Sequence, residues 1–185
     1  MRLFLSCNIP DKINSYLLSL AEEIHSLKSK ELDTFAKLTI PKHFDLTMKF
    51  FGEVPEALFE DLKKCVESIH FPCFKASLQK IQVFNPERIR IIWVGVAPNE
   101  PFFALHKAVE EALLSLYPLD PRFSPHITLA RVKSVHNRKL FLEKLQKIEV
   151  EPLSFDVDQL ILFQSKTETN GAVHTPLFTV PLEFN

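Results

Sequence analysis

The chain has almost no net charge: its acidic and basic side chains balance to -1 at pH 7. A nucleic-acid binder that works through a protein-wide positive field is excluded, whereas a local basic cleft is not. Cysteine is scarce too. Cys7, Cys65 and Cys73 are odd in number and form no C-x-x-C pair, which excludes a disulfide framework and a cysteine-based zinc site. A reducing, cytoplasmic setting is expected. No run approaches the ~20 apolar residues of a membrane span. The apolar start is cut by Asn8, Pro10 and Asp11 before a signal-peptide core is complete. No low-complexity tract or linker divides the chain, so residues 1–185 are expected to form one bilobal domain, without membrane contact and as a monomer.

What the chain does have is large apolar side chains. Apolar residues make up 46% of its 185 residues and phenylalanine occurs 17 times, enough to offset chain entropy without cross-links or metal. Their spacing predicts strands at 3–8, 35–40, 44–51, 74–84, 89–96, 126–132, 153–163 and 173–184. Helices are predicted from Pro10 and Asp11 to about Leu27, and at 55–69, 101–116 and 137–148. The third carries an apolar stripe of Phe102, Leu105, Val109, Ala112, Leu113 and Leu116. The 85–88 segment reads as a hairpin connection, and Asn170-Gly171 marks a turn between the last two strands. Strands outnumber helices and hairpins are frequent, so the expected class is α+β with mainly antiparallel sheets.

One internal repeat stands out. Asp45-Leu46-Thr47-Met48 and His126-Ile127-Thr128-Leu129 share the order polar, aliphatic, threonine, apolar, and each precedes a predicted helix. Side chains two apart on a strand project to one face, so His126 points with Thr128, and His43 and Asp45 with Thr47. An imidazole beside a hydroxyl suits a phosphate: the one exchanges a proton near neutral pH, and the other donates to a non-bridging oxygen. Duplicated halves would set the two faces around one central cleft.

These segments, with the opening Arg2-Leu3-Phe4-Leu5-Ser6, Ile92-Trp93-Val94-Gly95-Val96 and the closing Leu160-Ile161-Leu162-Phe163-Gln164-Ser165, follow one another in an order that resembles the two-histidine phosphoesterase superfamily. Within it, the chain is similar to the RNA 2',3'-cyclic phosphodiesterases, also called 2'-5' RNA ligases. The resemblance implies two mainly antiparallel sheets in a pseudo-two-fold relation, helices on the outer faces, and two His-x-Thr motifs across the cleft. It implies opening of a cyclic phosphate on an RNA end or nucleotide to a 2'-phosphate, without metal or other cofactor. His126 and Thr128 match the second motif. Thr47 matches the first, but Asp45 stands where its histidine is expected. Arg131 is carried over as a phosphate contact, which a bulge after Leu129 would have to bring to the cleft.

An aspartate ordinarily titrates near ~3.9 and is an anion beside an anionic substrate, unless burial raises it into the range of a working acid. The residues therefore leave two readings: a phosphodiesterase with His126 as base and Asp45 as acid, or a nucleotide- or RNA-binding module of the same fold. Ligation is the reverse reaction. His43 is a possible accessory group, Phe4 a possible stacking partner for a base, and the alternative for Asp45 is an ion pair with Lys42 or Lys49. Lys37, Lys42, Lys49, Arg122, Arg131 and Lys133 flank the motifs as candidate RNA contacts. His25, His70, His106, His136 and His174 read as ordinary surface residues.

Overall fold

The computed structural model describes residues 1–27, 36–168 and 171–184. Its strands form two sheets. The first, in the order β3-β1-β8-β9, uses Arg2–Cys7 (β1), Leu46–Glu53 (β3), Gln159–Glu168 (β8) and Gly171–Pro181 (β9). The second, in the order β2-β6-β5-β4-β7, uses Ala36–Thr39 (β2), Phe74–Val83 (β4), Ile91–Ala97 (β5), His126–Val135 (β6) and Ser154–Val157 (β7). Neighbouring strands are antiparallel throughout. Among the described residues four α-helices complete the α+β fold: Asp11–His25 (α1), Phe59–Glu67 (α2), Asn99–Ala112 (α3) and Arg138–Leu145 (α4).

The element order repeats. β1-α1-β3-α2-β4 is matched by β5-α3-β6-α4-β8, and each half places its last strand beside the first strand of the other half, β4 next to β5 and β8 next to β1. The helices cross as well: α1 lies against β6, and α3 against β3. β1 and β5 are flanked by strands on both sides and buried almost along their length, which is why both read in the sequence as continuous apolar runs rather than alternating ones. On α1, Ile13, Leu17, Leu20 and Ile24 recur at helical spacing and are buried; on α3, Phe102, Leu105 and Val109 are fully buried, as is Leu113 just past its end. These stripes join one hydrophobic core that spans both sheets.

Some expected elements differ. The single strand expected at 153–163 is two, broken at Asp158: β7 pairs with β4 on the second sheet, while β8 crosses to pair with β1. Periodicity cannot see this crossing, because the buried Val157 and Leu160 keep the segment apolar on both sides of it. The helix expected from residue 55 begins as a 3-10 turn, Glu56–Leu58, and becomes an α-helix at Phe59. The expected strand residue Phe35 and turn residue Asn170 lie outside the described residues. Among the described residues no helix is long and apolar enough to cross a membrane.

Candidate active site

Both repeats carry the same irregularity. In the β1–β3 ladder Ser6 faces Thr47 and Leu5 faces Lys49, so Met48 is an extra residue. In the β5–β6 ladder Trp93 faces Thr128 and Ile92 faces Ala130, so Leu129 is the extra one. Each bulge falls one residue after a threonine. Strict alternation would send the third residue after the threonine to the opposite face, but the bulge reverses the parity. Met48 and Lys49 are consecutively buried, as are Leu129 and Ala130, and Phe50 and Arg131 return to the threonine side.

The two threonines line one cavity of about 290 Å³, with Asp45, His126, Arg131, His43 and His174. His43 and Asp45 precede β3 instead of lying on it, yet both still reach the cavity. A second hollow of about 320 Å³ shares Asp45, Thr47, Arg131 and His174 and adds Arg2, Phe4 and Phe50. There the Arg2 guanidinium lies 5.0 Å from the centre of the Phe50 ring. A larger trough of about 790 Å³ lies between β4 and the segment after α4, and no histidine lines it.

His126 is held in one tautomer. Its Nδ1 lies 2.7 Å from the Ser124 carbonyl oxygen. A carbonyl only accepts, so Nδ1 carries the hydrogen and Nε2 of the neutral ring keeps a lone pair. Phe84 and Trp93 set their rings against the imidazole, with centroids 4.9 and 5.7 Å away. On the opposite motif the Thr47 hydroxyl donates to Asp45 Oδ2 at 2.6 Å. A hydroxyl has one hydrogen, so Thr47 can donate to another group only when that bond is released or reversed.

Phe4 is buried, stacked on Phe163 at 5.2 Å, so it is not a free platform for a base. Phe50 and Phe84, each about half exposed at 53% and 49%, present accessible rings near the cleft instead. Lys49 is not the surface partner of Asp45. It is buried, and its Nζ bonds Glu110 Oε1 at 2.6 Å. Glu110 Oε2 accepts the Asp120 backbone N–H at 2.8 Å, and His106 Nε2 lies 3.6 Å from Oε1. Arg122 is committed to Asp120, whose carboxyl its hydrogen bonds hold well below the usual carboxylate range. Lys49 therefore leaves the set of candidate RNA contacts.

His106 and His174 are not ordinary surface residues either. His106 is buried and stacks on Phe123 with ring centres 4.3 Å apart, while His174 on β9 is half-buried with the Phe4 ring edge-on at 4.7 Å. Glu110 and His106 could have been found: they lie on the α3 face that carries Phe102 and Val109, where a charge is out of place. Nothing local marks His174. Its position depends on β9 pairing with β8, where it faces Ser165.

Burial pushes both histidines below their ordinary value. For His106 the Lys49 charge adds to the effect of burial, and Glu110 and Asp120 oppose it. For His174, Asp45 opposes burial, and His43 and Arg131 add to it. A histidine lowered in the folded state binds fewer protons there than in the unfolded chain. Its contribution is thus intact above the unfolded value of ~6.5 and is lost as pH falls through the folded one. The thermal midpoint is expected to fall between pH 7.5 and pH 5.5 in a scan at constant ionic strength; a midpoint that rises on acidification would contradict the assignment.

A family model described as the 2'-5' RNA ligase superfamily matches residues 17–169. The chain belongs to that superfamily. A relative from Methanocaldococcus jannaschii, named RNA 2',3'-cyclic phosphodiesterase, is 30% identical over 177 residues, covering 94% of this chain and 96% of its own. One of the same name from Aeropyrum pernix is 31% identical, covering 75% and 82%. Among solved structures, a Thermus thermophilus protein superposes with a TM-score of 0.79 at 23% identity, over 98% of this chain and 97% of that one. LigT of E. coli in its apo form gives 0.73 at 22%, over 98% and 96%. At these identities the structural likeness establishes the fold alone.

Proposed function

We propose that the protein is a phosphodiesterase that opens a 2',3'-cyclic phosphate, on an RNA end or a nucleotide, to a 2'-phosphate. The observation that carries the proposal is the convergence of Thr47, Thr128, His126, Asp45 and Arg131 on one cavity. Full-length relatives named for that reaction support it. Arg131 supplies the positive charge for the phosphodiester anion, and the two threonine hydroxyls orient its non-bridging oxygens. Water enters on the His126 side. Nε2 takes its proton as the oxygen attacks phosphorus, the bond from phosphorus to the 3'-oxygen breaks, and an acid on the wall carrying Asp45 protonates the departing oxygen.

Incubation with 2',3'-cyclic AMP and with RNA ending in a cyclic phosphate tests the reading. The expected product is the 2'-phosphate alone, formed equally well in EDTA, because every step uses a side chain. Among the described residues no three His, Cys, Asp or Glu side chains are grouped to hold a metal. Absence of turnover from pH 4 to 8, or a 3'-phosphate product, would overturn the proposal.

A further inference from the structure

Asp45 has one carboxyl oxygen, Oδ1, left to carry an acid's proton. Its Oδ2 is the acceptor of the Thr47 hydroxyl, the group that has to hold the phosphate. A second proton carrier shares that wall. His174 lines both the threonine cavity and the hollow beside it, together with Asp45, Thr47 and Arg131. The edge-on ring of Phe4 restrains it, and it comes from β9, three strands away from β3 in the sheet order, so neither repeated motif contains it.

We propose that His174, rather than Asp45, is the general acid that protonates the 3'-oxygen leaving the phosphorus, with Asp45 acting as the anionic neighbour of its imidazolium. This rests on the phosphodiesterase reading and names the donor that it requires. The balance closes without a co-reactant. Water loses a proton to His126 Nε2 and forms the new bond to phosphorus, the bond to the 3'-oxygen breaks, and His174 gives that oxygen its proton. One histidine ends protonated and the other neutral, and exchange with solvent resets both.

The surroundings suit a proton that arrives with the substrate. Around the ring, burial disfavours the charged form, Asp45 opposes this, and His43 and Arg131 reinforce it. Arg2, Lys42 and His126 are the other charged or titratable side chains lining the two hollows. A bound phosphodiester brings a second anion beside the ring, which favours the imidazolium. Binding of 2'-AMP should therefore take up a proton on the His174 side.

The deciding experiment compares 2',3'-cyclic AMP with its analogue carrying sulfur at the 3'-bridging position, whose thiolate leaves without a proton. His174→Gln is expected to lose about 10²–10³ in kcat on the oxygen substrate and less than about tenfold on the sulfur one. Asp45→Asn should stay active, with the alkaline limb of its pH profile moved to lower pH, because the anion that favours the imidazolium is gone. Equal losses by His174→Gln on both substrates would overturn the assignment. So would an Asp45→Asn enzyme that loses its alkaline limb and turns over only the sulfur substrate, since that marks Asp45 as the donor. If wild type is active and His126→Ala is not, yet His174→Gln matches wild type, this inference fails alone. If wild type turns over neither substrate, the phosphodiesterase reading fails with it.

Discussion

His126→Ala is expected to lower kcat for cyclic-phosphate hydrolysis by about 10²–10⁴ and to leave the thermal midpoint within a few degrees of wild type. The ring is only half-buried and bonds the Ser124 carbonyl, so its loss costs contacts with Phe84 and Trp93 at the cleft but opens no cavity in the core. What disappears is a base whose tautomer is already set. That carbonyl holds the hydrogen on Nδ1, leaving Nε2 ready to take a proton from water without rearrangement. Product binding should persist, because Arg131 and the threonines are untouched. Steady-state kinetics with a 2'-AMP titration would show the split, and a variant that binds product a hundredfold more weakly at unchanged kcat would argue for a purely structural His126.

Glu110→Ala is expected to destabilise the fold by about 3–5 kcal/mol, because it leaves the buried Lys49 ammonium without its counter-charge. Native stability is typically ~5–15 kcal/mol in total, so the loss would dominate an unfolding curve. Removing both charges with Lys49→Met and Glu110→Leu should recover much of it, since neither ion is then desolvated. Recovery would be incomplete. The Asp120 N–H loses its Glu110 acceptor in both variants, at about 1–3 kcal/mol. The pair also reaches function: Glu110 and the His106–Phe123 stack anchor the segment that ends in Ser124, whose carbonyl sets the His126 tautomer. A double-mutant cycle by urea unfolding measures the coupling, and a Glu110→Ala protein as stable as wild type would contradict the ion-pair account.

The parts of this molecule written in local periodicity could be read before any fold was known. β1 and β5 announce themselves as apolar runs, α1 and α3 as stripes, and the parity that pairs His126 with Thr128 follows from strand geometry alone. The rest depends on which distant strands meet. Asp158 ends one strand and releases the next to another sheet, a change of partner with no signature in hydropathy. Arg131 reaches the cleft through an extra residue in the ladder, which strand alternation cannot anticipate without the β5 register. Lys49 looked like a surface charge because its partner lies sixty-one residues away on α3. His174 is hidden for the same reason, since the strand of Thr47 lies three places away in its own sheet and Arg131 belongs to β6 of the other sheet.

A crystal structure with 2'-AMP tests most directly whether the two repeats clasp one anion. The phosphate is expected in the threonine cavity, with oxygens about 2.7–3.0 Å from both Thr47 Oγ1 and Thr128 Oγ1 and Arg131 alongside. A phosphate touching only one of the two hydroxyls, or seated in the trough beside β4, would contradict it.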